Sequence, residues 1–406
     1  MQKYSVLLLL LALANISVVY YQLGYYWDLI AHILYAKGII TGNYSIVGWE
    51  RAPLTGLALV PFYLIFKNAA GYYYIIACIL VLFGISIHAS KKLNINENIM
   101  LSLVLTPFPI IFYSIFNGAE ILSFLFLLAG LLLFLERKYY FSFFIALAIL
   151  SKVIAAPFAL LVLFSNSKRK ALSLLLAPFI PWLAFNYIAF GNPVFNYIET
   201  IKVALHTSFY ASSIGLVPLL ALFLPFFAFY LMLIPFCKCE KKANKQLLIF
   251  LLISLAVLFA GALMSNFVYT IPRWSYIAYA PLVFVLAQKL DAKRSKAILL
   301  LDFAFFVFSI LLLPGLLKGA YNVNGRNQYM LNAIQYLNSH SYRQVASNVW
   351  TLLDFYNISA IPPYENYSGK PILIVRGIGT SPSLFNFSNY TELKINENAS
   401  LYLPAK

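Results

Sequence analysis

Four residues able to do chemistry, Asp28, His32, Glu50 and Arg51, stand within residues 24–53 of a chain that is otherwise soluble in hydrocarbon. Charged groups are costly near a bilayer and tend to mark function there. If residues 25–37 form a helix, Asp28, His32 and Tyr35 fall at i, i+4 and i+7 on one polar stripe, with Leu29, Ile33 and Ala36 beside them as an apolar stripe suited to an interface. A carboxylate so placed can take a proton from an attacking hydroxyl. Plainer roles fit the same residues: Asp28 as a helix cap, His32 as an interfacial hydrogen-bonding group, and Glu50-Arg51 as a local ion pair ordering the loop.

Two cations further along complete the set. Arg273 sits where an outer loop re-enters the apolar region, placed either to anchor at the interface or to bind phosphate through its planar fork. Lys152 lies inside an apolar run with no carboxylate nearby in sequence, so it needs a partner, which an anionic lipid headgroup would supply. Glu120 and Glu199 read as carboxylates on the same side without an assigned role, His206 as a loop residue, and Asp302 as a group at the opposite surface.

The elements that must position these residues are membrane helices. Of 406 residues, 62% are hydrophobic and 10% charged, and the mean hydropathy is +0.82. Repeated apolar runs exclude a soluble domain and imply a polytopic helical protein of about 10–11 spans. Spans are expected at 4–22, 72–88, 100–116, 121–135, 141–164, 171–190, 214–236, 247–264, 275–288 and 297–317, with 53–66 slightly short for a crossing. Lacking a small-residue cleavage site, the first span reads as a retained helix. Cys78, Cys237 and Cys239 make no disulfide framework, and the Cys-Lys-Cys pair lacks further metal ligands nearby. The net charge of +16 is spread in short clusters between apolar runs, which encodes topology and not nucleic-acid binding.

With the N-terminus cytoplasmic, sixteen Lys and Arg fall in inner segments and five (Lys37, Arg51, Lys67, Lys202 and Arg273) in outer loops. The asymmetry requires 141–164, basic at both flanks, to enter and return to the same side as two half-length helices meeting near Ser151-Lys152. Irregular backbone at that depth is allowed only where protein or a polar cavity covers it. Asn-x-Ser/Thr sequons at Asn15, Asn43, Asn357, Asn366, Asn386, Asn389 and Asn398 agree, since none lies in an inner loop. About two or three would arise by chance.

Residues 318–406 are more polar and read as a small extracytoplasmic α/β cap. The spacing predicts a helix over 327–340, a strand over 343–349, a short helix over 350–356 and a strand over 370–376. Gly377-Ile378-Gly379 lacks the third glycine of a phosphate loop.

Several motifs in order resemble the GT-C class of integral-membrane glycosyltransferases, which includes protein O-mannosyltransferases and lipid A aminoarabinose transferases. These are Trp27-Asp28 followed by His32, Ala36 and Gly38; Arg51-Ala-Pro-Leu54; Asn117-Gly-Ala-Glu120; Leu150-Ser-Lys152 with Pro157; Phe190-Gly-Asn-Pro193; and Pro272-Arg273-Trp-Ser-Tyr276 with Pro281. They cover about residues 1–320, and the outward cap is similar to that of archaeal members.

The resemblance implies a GT-C-like helical bundle over 1–317, with its first outer loop at 24–69, and a cap over 318–406. It implies a polyprenyl-phosphate sugar donor, Asp28 as catalytic base, and a donor and acceptor site drawn from His32, Glu50, Arg51, Lys152, Arg273 and Tyr276. The sugar would be a hexose such as mannose, and the acceptor a protein, glycan or lipid hydroxyl on the extracytoplasmic face. Lipid phosphate leaves as an anion, so no metal cofactor is strictly required. Many relatives carry Asp-Glu where this chain has Asp28-Leu29, which weakens a divalent-metal site. A flippase for lipid-linked sugars and a non-catalytic subunit of a glycosylation complex are the competing classes; the former would favour inverted repeats and midplane charges.

Overall fold

The computed structural model describes residues 3–25, 27–49, 51–105, 118–199, 242–264, 274–288, 328–363, 365–376, 382 and 385–405. The expected spans 214–236 and 297–317, Glu50, Arg273, His206, Asp302, Cys237 and Cys239 lie outside them. What is described is mostly helical with one small mixed sheet.

Helix α1 (Lys3–Leu23) leads into α2 (Trp27–Thr41), whose first turn carries Asp28 at the positive end of the helix dipole. Gly42, at φ +68°, follows the end of α2. Proline opens α3 (Pro53–Phe66), where its missing N–H is no loss. The chain reverses at Lys67 (φ +49°) into α4 (Ala70–Leu93), so that the Phe62 and Tyr74 rings meet at 5.8 Å across the turn. Helix α3 lies against α2, and Gly56 makes the approach possible: a Cβ there would stand 2.4 Å from Tyr35 Cδ1.

Next come α5 (Glu97–Leu105) and α6 (Ala119–Leu135), and then the run read as two half-helices. It breaks at Lys152, between α7 (Phe141–Ser151) and a 3₁₀ helix over Val153–Phe164 that contains Pro157. The two ends of this run are brought back together: Lys170, in α8 (Lys168–Leu176), places its Nζ 5.5 Å from the centre of the Tyr139 ring, just before α7. The run thus folds back on itself with its break at the expected Ser151-Lys152.

Helices α9 (Phe179–Phe190), α10 (Lys242–Met264) and α11 (Tyr276–Ala287) complete the described bundle. Every residue of α11 is buried, and it packs on α5, α6 and α10. Among the described residues, two helical stretches, Pro53–Leu93 (α3 and α4 with the reversal at Lys67) and Lys168–Phe190 (α8 and α9), are long and apolar enough by length and composition to cross a membrane, and six further apolar helices are shorter.

The C-terminal unit holds α12 (Gln328–Ser339), β1 (Gln344–Ser347), α13 (Trp350–Phe355), β2 (Ser359–Ile361), β3 (Ile372–Val375), β4 (Tyr390–Asn396) and β5 (Ala399–Pro404). Strand order is β2-β1-β3-β5-β4, with β1 parallel to β2 and β3, and β5 antiparallel to β3 and β4. The four expected elements are present, and β2, β4 and β5 are added to them.

Helix α13 seats this unit directly on α2. The Trp27 and Trp350 rings meet edge to face at 4.9 Å, Tyr25 meets Phe355 at 6.4 Å, and Lys37 Nζ donates to Asn357 Oδ1 at 2.7 Å. Residues Trp27 to Ala36 of α2 are therefore all buried, and the helix does not lie along an interface with one face in solvent, as its stripes suggested. Both stripes have protein against them.

Asp354 closes α13 by accepting the Ala360 N–H at 3.0 Å. Burial lifts its carboxyl from 3.8 to about 7, against the Ala360 N–H and the Lys37 ammonium, which favour the charged form; Glu365 adds to the rise. A carboxyl raised by folding contributes stability that is whole below its unfolded value and is lost as pH climbs to its folded value. We predict that the thermal stability of the full chain, relative to Asp354→Asn, declines between about pH 4 and pH 7 and then levels. Parallel melting profiles for the two chains across that range would refute the assignment.

Candidate functional site

The site is built where α2, the turn before α3, the start of α6 and the break after α7 converge. Arg51 Nη1 donates to Asp28 Oδ1 at 2.7 Å, with side-chain exposures of 16% and 12%. Lys152 Nζ stands 3.3 Å from Glu120 Oε1, with exposures of 20% and 2%. Each ion pair is partly or deeply withdrawn from solvent, and neither partner of a pair is near the other in sequence.

His32 lies one turn after Asp28 on α2, within electrostatic reach of the cations of both pairs. It is 2% exposed, and its Nδ1 meets no hydrogen-bond partner among the described residues. Burial pushes the imidazole well below its ordinary value, and the cations of Arg51 and Lys152 push it further down. Both cations are thus close enough to bear on one ring, which stays neutral at physiological pH. A neutral imidazole can donate through one nitrogen and accept through the other.

The positions of these groups follow from the packing beneath them. Lys152 is held by a relay across three helices: Tyr276 Oη donates to Ser123 Oγ at 3.0 Å, Ser123 Oγ donates to the Ala148 carbonyl at 3.0 Å, and that carbonyl also receives the Lys152 N–H at 2.9 Å. Glu120 enters one residue after the start of α6, behind Gly118 at φ +69°. Tyr74 Oη donates to the Gly118 carbonyl at 3.0 Å, and a Cβ on Gly118 would stand 2.6 Å from Leu29 Cδ1. Glycine at 118 therefore lets the start of α6 close on α2, beside Asp28 and His32. The turn before Arg51 is set by Trp49, whose ring meets Tyr35, Phe185 and Phe190 at 5.6, 5.8 and 4.9 Å. Asn196 donates to its carbonyl.

Of the seven residues expected at the site, Asp28, His32, Arg51 and Lys152 come together. Tyr276 lies beneath them with its hydroxyl in the relay, while Glu50 and Arg273 lie outside the described residues. Arg51 reaches across to Asp28, 23 residues earlier. The partner Lys152 requires is Glu120, not only the lipid headgroup suggested by sequence; an acid in the first turn of a helix opened by glycine was the available signal. Among the described residues no three His, Cys, Asp or Glu side chains group to hold a metal ion. Comparison with protein-family models, curated proteins and solved structures finds no match to the chain.

Chemically, the arrangement offers two carboxylates, two cations and a neutral imidazole in one partly enclosed place. An anionic ligand could draw either cation off its carboxylate. Removing one member of a buried pair strands the other charge and costs about 3–5 kcal/mol. We therefore predict that Glu120→Ala lowers unfolding stability by about that amount, and that adding Lys152→Met restores most of the loss. Additive losses, read from denaturation of the purified chain in detergent, would show that the two side chains do not act as a pair.

Proposed function

We propose that the chain is a GT-C-like membrane glycosyltransferase. It moves a sugar, a hexose such as mannose, from a polyprenyl-phosphate donor to an acceptor hydroxyl on the extracytoplasmic face. The observation that carries this reading is the meeting of Asp28–Arg51 and Glu120–Lys152 around a neutral His32. A base and two phosphate-binding cations at one place are what the transfer needs, and the motifs that supply them are those that resemble the class.

In this reading the chain is a multi-pass protein of the cell membrane, with about 10–11 spans, a cytoplasmic N-terminus and an outward cap. The return of the Phe141–Phe164 run supports that topology, because its two basic flanks then share one side. All four charged groups follow from it: Asp28 after the first span, Arg51 in the first outer loop, Glu120 at the outer start of α6 and Lys152 at the tip of the returning run.

The transfer proceeds by displacement at the anomeric carbon. The acceptor oxygen forms its bond to C1, the bond from C1 to the phosphate oxygen breaks, and the electron pair leaves on the lipid phosphate. The acceptor proton passes to Asp28. Arg51 and Lys152 stabilise the charge that grows on the phosphate, in a site where low dielectric makes each donor count for more. Arg51 has a second effect: when phosphate draws its guanidinium away, the Asp28 carboxylate is released to act as base. His32 stays uncharged and hydrogen-bonds a sugar or acceptor hydroxyl.

Asp28→Asn keeps an acceptor oxygen for Arg51 and removes the base. In purified vesicles supplied with polyprenyl-phosphate hexose, we predict that this change lowers turnover about 10²–10⁴-fold with the protein still folded in the membrane. Undiminished transfer by the variant would sink the assignment of Asp28. Passage of intact lipid-linked sugar across the vesicle, with no transfer by the parent chain, would replace the enzyme with a flippase.

A further inference from the structure

Seven sequons occur in the chain; that at Asn43 is exposed just past α2, and the other six are sorted by their surroundings. Asn15 is 2% exposed within α1 and is closed to any modifying enzyme. Asn398 is half-buried, and the hydroxyl residue of its sequon, Ser400, is buried in β5. Asn357 is exposed, but its Oδ1 holds Lys37 at the seat of the cap on α2.

Three others share one design. In Asn366-Tyr367-Ser368, Asn386-Phe387-Ser388 and Asn389-Tyr390-Thr391, the Asn and the hydroxyl residue are exposed while the aromatic residue between them is partly buried. Tyr367 meets Phe385 at 5.1 Å and Phe387 meets Tyr402 at 4.4 Å, in the apolar cluster that also takes Tyr390. With the central ring packed inward, the residue on either side of it is left exposed. In two of the triplets the Asn Oδ1 accepts the N–H of the hydroxyl residue, at 3.1 Å for Asn366 and Ser368 and 3.0 Å for Asn386 and Ser388. That fixes the amide beside the hydroxyl. The triplets are neighbours in space, since the Asn386 N–H donates to Tyr367 Oη at 2.9 Å. Asn389 precedes β4, the edge of the sheet opposite β2, and β2 packs with the α13 that grips α2. A bulky group there meets solvent and leaves the seat of the cap untouched.

We infer that the cap carries N-linked glycans at Asn366, Asn386 and Asn389. The donor is a lipid-linked oligosaccharide and the catalyst a separate oligosaccharyltransferase of the host membrane. Asn Nδ2 forms its bond to the anomeric carbon, the bond from that carbon to the lipid phosphate breaks with its electron pair leaving on phosphate, and one amide proton goes to the transferase. The inference rests on the outward placement of the cap and not on the chain's own transfer activity.

Glycopeptide mass mapping of the full chain, purified from its own host membranes, tests it. The expected result is a glycan at each of the three asparagines, none at Asn15, and stepwise loss of the glycan mass in Ser368→Ala, Ser388→Ala and Thr391→Ala. Unmodified peptides at all three positions overturn the inference. The two proposals fail separately: a bare cap on a chain that still transfers sugar removes only the glycans, and a glycosylated cap on an inactive chain removes only the enzyme.

Discussion

An ammonium group set at a break in an apolar helix must find a counter-charge, and much of this fold can be read as the answer to that requirement. Lys152 interrupts the run from Phe141 to Phe164, and Glu120 meets it from the start of α6. Helices α6 and α7 are thereby pinned to each other at the end remote from their connecting turn. The Tyr276–Ser123–Ala148 relay brings in α11, and Tyr74, through Gly118, brings in α4. Neutral polar groups do the aligning, while the charges are kept for one another.

Helix α2 has the opposite character. Its ten residues from Trp27 to Ala36 are all buried, and it carries Asp28 and His32 in a setting without a fixed solvent face. That burial is what keeps the imidazole uncharged and what makes Arg51 necessary beside Asp28. Chemistry is placed on an element held on several sides, by α3 through Gly56, by α6 through Gly118 and by α13 through Trp350. Preorganisation of this kind fixes donors and acceptors before a ligand arrives.

Local features of this molecule were legible in the residues. A break was expected near Ser151-Lys152, and the chain breaks at Lys152 with the flanks of the run folded back together. Helical spacing in the tail marked α12, and the hydrophobic run of β3 marked a strand. What escaped was set by distance along the chain. Glu120 and Lys152 are brought together only by the α6–α7 hairpin, and Arg51 reaches Asp28 only because α3 folds onto α2. Strand β2 has three residues, too few to show a period, whereas β4 alternates Leu393 and Ile395 with Glu392, Lys394 and Asn396 but lies at the sheet edge, where Leu393 stays exposed. The stripes on α2 were real, but composition could not say that a cap would cover both.

Seating the cap on α2 has an evolutionary consequence. From Asp28 to Lys37 is nine residues, about 14 Å of one helix at 1.5 Å per residue, so the cap grips the element that presents the candidate base. Trp350 and Phe355 then fill a mould cast by Trp27 and Tyr25. Replacement of one ring in either aromatic pair would call for compensation in the other, and a cap exchanged between diverged chains would arrive with the wrong relief for its seat.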